Sequence, residues 1–246
     1  MKQFYLLVSF ILVFNSNHLL AQNDSIYFWK GGIKINQLSI KTADLDSITF
    51  KRPSPTFAPL PSVTIGTQVW TTKNLDVAAY SDGILIPEHT GTNAEWLALT
   101  TGAWCYYKNN PANGAIYGKL YNWYAVAGIH DNDPNTPNKK LAPSGYHIPS
   151  AAEWTTLITY LGGEGVAGRN MKAGSESGFT ALPGGSRQYD GEFYNIGTFS
   201  SWWSSSLFSE QYTTYAFFCY MNILDGSAGR SSNGISDGCS VRCLRD

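Results

Sequence analysis

Tyr146-His147-Ile148-Pro149-Ser150-Ala151-Ala152-Glu153-Trp154 is the stretch from which the rest of this chain can be placed. Ser150 stands where a helix N-cap would, with Glu153 three residues on, so each side chain can accept the other's orphan backbone N–H. Trp154, Leu157, Ile158 and Leu161 then follow at i, i+3, i+4 and i+7, one apolar stripe of a three-turn helix. Gly162-Gly163 ends that helix, because glycine takes a left-handed conformation without steric cost.

Around this helix the pattern changes from period 3.6 to period 2. Upstream, Val63-Thr-Ile-Gly-Thr-Gln-Val-Trp70 alternates as one strand, or as two short strands if Gly66-Thr67 is a tight turn. A short helix is expected at Ala94 to Leu99, capped by Asn93 or Thr92, and a strand at Ala103 to Tyr107. Tyr117 to Val126 is aromatic with an ambiguous period. Downstream, Gly-rich loops separate strand-like runs at Trp202-Trp203, Tyr215–Met221 and Ser240–Leu244. Few helices, short strands and large loops imply an α+β domain, placed at 63–246. Pro53, Pro55, Pro59 and Pro61 make residues 53–62 an extended linker. Ahead of it, Ser25–Lys30 and Ile33–Leu38 flank Gly31-Gly32, the signal of a β-hairpin. Ser47–Phe50 is a candidate third strand, giving a small β element over 22–52.

Residues 1–21 read as a signal peptide: Lys2, an apolar run from Phe4 to Phe14, then Leu19-Leu20-Ala21 before Gln22. The run is shorter than the roughly 20 apolar residues a membrane span needs. No cysteine follows it, so a lipidated N-terminus is not expected. The expected locale is therefore periplasmic, cell-surface or secreted. Charged residues are only 14%, against an average of about 25%, so the surface must rest on Ser, Thr, Asn, Gln and Tyr. Net charge is −1 and the Lys and Arg residues are scattered, which excludes a phosphate-tracking nucleic-acid surface. Cys105, Cys219, Cys239 and Cys243 are an even set behind an export signal, read as two disulfides with three possible connectivities. The rival reading is a metal site using Cys239-x-x-x-Cys243, which lacks a nearby pair of histidines.

Several segments carry a family resemblance. They are Thr64-Ile-Gly-Thr-Gln-Val-Trp-Thr-Thr-Lys-Asn-Leu75, Gly118-Lys-Leu-Tyr-Asn-Trp-Tyr124, Ala142-Pro-Ser-Gly-Tyr-His-Ile-Pro149, Leu182-Pro-Gly-Gly185, Trp202-Trp-Ser-Ser205 and Ser240-Val-Arg-Cys-Leu-Arg-Asp246. In this order over 63–246 the chain resembles the Fibrobacter succinogenes major paralogous domain, a family of exported proteins of Bacteroidetes-type bacteria. The stretch at 148–154 is also similar to the Leu-Pro-Thr-x-x-Glu-Trp signature of sulfatase-modifying factor domains. These resemblances imply a C-type-lectin-like fold distantly related to formylglycine-generating proteins, with no established activity. Cys239 stands where such domains usually have an aromatic. The lectin-like pattern implies the pairing Cys105–Cys243 and Cys219–Cys239.

Candidate chemistry is sparse. There is no nucleophile elbow, phosphate loop, His-Glu-x-x-His or dinucleotide fingerprint, and the chain reads as non-enzymatic with no cofactor. The formylglycine-generating resemblance keeps a copper- or thiol-dependent oxidase at Cys239 and Cys243 as the enzymatic alternative. Asp131 and Asp133, in Asp-Asn-Asp-Pro-Asn, are weak calcium candidates better explained as an Asx-rich turn. His130 and His147 read as packing or surface histidines, and Asp190 with Glu192 as solvated loop acids. Trp70, Trp104, Trp123, Trp154 and one of Trp202 and Trp203 are expected in the core. Tyr189, Phe193 and Tyr194, in the Gly184–Gly197 loop, remain either for stacking on a sugar or packing on a protein, or simply for pinning that long loop down. The expected function is an exported binding or surface-interaction module for a glycan or an envelope protein. A structural envelope component, docking through residues 24–52, is a further alternative.

Overall fold

The structure is a computed structural model that describes residues 25–30, 33–39 and 60–246. The expected signal peptide, the Ser47–Phe50 strand and most of the Pro-rich stretch lie outside the described residues. The chain divides into two compact units, Met1–Lys51 and Arg52–Asp246. In the first, β1 (Ser25–Lys30) and β2 (Ile33–Ser39) pair antiparallel, with a register shift between Phe28 and Trp29.

The second unit is α+β, with short helices and mainly antiparallel sheets. β3 (Ser62–Ile65) and β4 (Gln68–Thr71) form a hairpin, so the tight-turn reading of Gly66-Thr67 holds. Gly66 has φ +61°, a left-handed conformation that favours glycine. Three short helices follow, interleaved with two strands. They are α1 (Asn93–Leu97), β5 (Trp104–Cys105), α2 (Pro111–Tyr117), β6 (Leu120–Tyr121) and α3 (Trp123–Ala127). β7 (Tyr146–His147) then leads into α4 (Ala151–Tyr160) and α5 (Glu164–Met171).

The capping box expected of α4 is present: Glu153 N–H donates to Ser150 Oγ at 3.3 Å and Ser150 N–H to Glu153 Oε2 at 2.7 Å. Its stripe of Trp154, Leu157, Ile158 and Leu161 is buried. The remaining strands are β8 (Gly184–Arg187), β9 (Phe193–Ile196), β10 (Phe199–Leu207), β11 (Tyr215–Asn222), β12 (Ala228–Gly234) and β13 (Leu244–Arg245). They build a five-stranded sheet of order β12-β11-β10-β8-β9 and a four-stranded sheet of order β3-β4-β13-β7.

Trp202 and Trp203 are both fully buried, where only one was expected. Successive strand residues point to opposite faces, and β10 has core on each side. Trp202 joins the cluster of Trp70, Trp154 and Phe179 beneath α4 and α5. Trp203 joins the cluster of Tyr121, Trp123 and Val241 on the other face. A third cluster holds Trp96, Cys105, Tyr107 and Leu120.

The final segment knits these layers together. Gly238 bridges to Arg187, Cys239 to Tyr121 and Ser240 to Trp202, while Leu244 pairs with both Trp70 and His147. Arg242, 1% exposed, donates to Asn74 Oδ1 at 2.8 Å and to the carbonyls of Thr71, Phe179 and Thr180, with its guanidinium 4.6 Å from the Phe179 ring centre. Burial pulls its pKa down to about 9, so it stays charged at neutral pH.

The two expected disulfides are not formed: all four cysteines are free and buried. Cys219 faces Trp202 across β10–β11, and Ser240 bridges to Trp202 from the other side. Cys219 and Cys239 are thus two strand spacings apart, about 9–10 Å, beyond the roughly 7 Å that a bridge tolerates. Cys105 sits in the third cluster, and Cys243 in the Tyr121–Trp203 cluster. The pairing implied by the lectin-like resemblance fails because the topology disperses these thiols among separate parts of the core.

Candidate functional site

The three aromatics expected to meet a ligand fall on one hairpin, β8–β9, whose ladder pairs Gly184 with Ile196, Ser186 with Tyr194 and Arg187 with Phe193. Its loop, Gln188-Tyr189-Asp190-Gly191, is closed by Gly191 N–H donating to Gln188 O at 2.7 Å and Gln188 N–H to Glu192 O at 2.9 Å. Gly191 has φ +77°, and a Cβ there would lie 2.6 Å from Asn93 Cβ, so both backbone conformation and space call for glycine. Asp190 locks the loop from within. Its carboxylate accepts the Glu192 N–H at 3.0 Å and the Tyr194 hydroxyl at 2.5 Å. That hydroxyl bond holds the Asp190 carboxyl below its usual range and pushes the Tyr194 phenol up to about 12.

Beneath the loop lies Arg187, fully buried and without a carboxylate partner among the described residues. Its Nε donates to Gly191 O at 2.7 Å and its Nη2 to Asn93 Oδ1 at 3.2 Å, while Asn93 Nδ2 donates to Glu192 Oε1 at 2.6 Å. The guanidinium is sandwiched between Trp96 at 4.5 Å and Phe193 at 4.8 Å from the ring centres. Such stacking suits a planar, weakly hydrated cation. α1 supplies Trp96, and its own capping box orients it: Thr92 N–H donates to Glu95 Oε2 at 2.7 Å and Glu95 N–H to Thr92 Oγ1 at 3.3 Å. His89 lies on the same cation, 3.5 Å from Nη1; burial, then the Arg187 charge, lowers its pKa.

These contacts divide the three expected residues. Phe193 is half-buried between Arg187 and Tyr107, whose ring centre is 5.3 Å away. Tyr194 is half-buried and tied to Asp190. Tyr189 alone stands clear, 76% exposed at the tip. Asp190 and Glu192, read as solvated loop acids, are both engaged in this architecture. The sequence marked Asn93 only as a candidate helix cap and gave no sign of Arg187 or His89: a lone arginine in a strand carries no motif, and its partners His89 and Asn93 lie more than ninety residues away. Asp237 closes the far side of the neighbourhood. It is 4% exposed, its Oδ1 has no partner, and burial followed by the Asp190 charge raises its pKa to about 7.

The other expected chemistry resolves into structure. Asp131 Oδ1 accepts the Asp133 N–H and Asp133 Oδ1 the Asn135 N–H, two successive Asx turns. Among the described residues, no three His, Cys, Asp or Glu side chains converge as metal ligands. Burial pushes the Cys105 and Cys243 thiols up to about 12, and Cys219 and Cys239 further still. His147 is more than a surface histidine, since Nδ1 meets Asp246 Oδ1 at 2.7 Å and Nε2 meets Glu153 Oε1 at 2.9 Å. No described helix is long and apolar enough to cross a membrane.

The family model of the Fibrobacter succinogenes major domain matches residues 63–245. Comparison with curated proteins and with solved structures gave no match.

Proposed function

This chain belongs to the Fibrobacter succinogenes major domain family, and on that premise we propose that it is an exported, non-catalytic binding module of C-type-lectin-like fold. Its ligand is a glycan, met first by Tyr189. The observation that carries this reading is a 76% exposed tyrosine held on a loop that Arg187, Asn93 and Asp190 fix from beneath. An aromatic ring on a rigid mount stacks on a sugar face with little ordering cost at binding. Burial of all four thiols also supports it, since an oxidase would need an accessible thiolate and desolvation opposes one.

A glycan array probed with the chain and with Tyr189→Ala tests the proposal. The variant should lose most of the signal while keeping its melting temperature. Silence of the wild-type chain across plant, host and bacterial glycans would overturn it in favour of an envelope-protein partner.

A further inference from the structure

At the opposite edge of the five-stranded sheet from β9, α4 and β12 flank a shallow, open groove of about 820 Å3. Such an open trough suits a chain lying along the surface better than a small molecule enclosed on all sides. One wall is the outer face of α4, carrying Thr155, Thr156, Thr159 and Tyr160, all exposed. Threonine is a poor helix former, and exposed helix positions are ordinarily filled with Lys, Glu or Gln. Thr155 and Thr156 donate back to the Ala151 and Ala152 carbonyls, an arrangement that slightly weakens a helix. Three threonines there give α4 nothing in stability, and departures of this kind mark surfaces used for something else.

The floor is Phe217, with the exposed Phe208 packed against it at 5.3 Å between ring centres. Arg230 lies across Phe217, its guanidinium carbon 5.5 Å from the ring centre. It is exposed, and among the described residues it has neither an ion-pair partner nor a side-chain hydrogen bond. No acidic residue lines the groove. A guanidinium steadied on an aromatic face keeps its fork of donors free for a bidentate acceptor.

We propose that this groove binds an acidic polysaccharide, with a hexuronate carboxylate accepting from Arg230 and the C–H face of the sugar on Phe217 and Phe208. Ring hydroxyls then meet Thr159 and Tyr160. An acidic peptide fits less well: its carboxylates could reach Arg230, but it lacks the flat C–H face that would stack on Phe217 and Phe208. The proposal concerns a different face from the Tyr189 loop and stands apart from it.

The test is affinity electrophoresis and calorimetry of the full chain with polygalacturonate, using neutral galactan and poly-glutamate as comparators. Polygalacturonate should bind, and galactan at least tenfold more weakly. Arg230→Gln should weaken polygalacturonate binding at least tenfold, and Phe208→Ala or Thr159→Glu several-fold. All three sites are exposed, so thermal melts should show folded variants. Tyr189→Ala should leave this binding unchanged, which separates this site from the first. Failure of polygalacturonate to bind, or binding indifferent to both Arg230→Gln and Phe208→Ala, would overturn the proposal. Poly-glutamate binding as tightly as polygalacturonate would overturn it in favour of an acidic peptide.

Discussion

Replacing Trp154 by alanine and by phenylalanine separates two contributions that the structure assigns to one side chain. Trp154 is fully buried, with ring centres 4.5 Å from Trp70, 5.8 Å from Trp202 and 6.2 Å from Phe179. Truncating a buried Trp to Ala costs about 3–5 kcal/mol. Three aromatic neighbours, each adding about 0.5–1.5 kcal/mol beyond area burial, place Trp154→Ala at the top of that range. Its indole N–H, however, has no hydrogen-bond partner. Leaving a buried donor unpaired costs about 1–3 kcal/mol, so removing it returns part of what the smaller ring loses. Trp154→Phe should therefore cost only about 1–2 kcal/mol. Urea unfolding followed by far-UV circular dichroism measures both, provided the m-values agree. A cost below about 1 kcal/mol for Trp154→Ala would refute packing through this stripe. A cost above about 3 kcal/mol for Trp154→Phe would refute the unpaired indole, because a lost hydrogen bond would then add to the lost ring area.

His147 makes stability depend on pH. Burial alone would lower its pKa, but the Asp246 and Glu153 carboxylates on its two ring nitrogens outweigh burial and raise it. That stabilisation is full below the unfolded value of about 6.5 and is lost as pH rises through the folded value. Glu153, depressed by Ser150 and His147 against the opposing effect of burial, loses its share as pH falls through its own folded value. The advantage of wild type over His147→Gln in thermal melts should thus be larger at pH 5.5 than at pH 8.5, and about 1 kcal/mol at most for so exposed a network. Gly191→Ala should destabilise by about 1–2 kcal/mol from its left-handed backbone alone, more if Asn93 cannot yield, and a chemical-denaturation midpoint unchanged from wild type would refute the close approach. A thiol reagent should find no reactive cysteine in the folded chain and four in denaturant.

Legibility followed sequence distance. α4 could be read outright because its cap, stripe and glycine stop lie within fourteen consecutive residues. α2 and α3 carry local signals too, Asn110 before Pro111 and Asn122 before Trp123, but Gly114 weakened the first as a helix and the aromatic run obscured the period of the second. α5 was illegible. Gly165 and Gly168 weaken it as a helix, no side chain caps it, and Gly168 is there because a Cβ would lie 2.3 Å from Ser227 O. Packing, not propensity, makes that helix. The cysteine reading failed for a related reason: number and compartment say that thiols could pair, whereas pairing is set by which strands become neighbours. The Arg187 cradle and the α4–β12 groove are likewise assembled from segments far apart in the chain, and no local pattern could announce them.

The path of residues 238–244 also bears on the order of assembly. This segment touches β8, β6, β10, β4 and β7 in turn, and it is the last part of the domain to be synthesised. Until it arrives, the strands it joins lack a shared neighbour and both faces of β10 lack part of their cover. The domain thus cannot close progressively from its beginning, as an array of local hairpins could. Its layers are drawn together by this one segment, like a bag with a drawstring threaded through the rim. Removing or blocking this one short segment would therefore loosen both faces of β10 at once, so the integrity of two core layers hangs on seven consecutive residues.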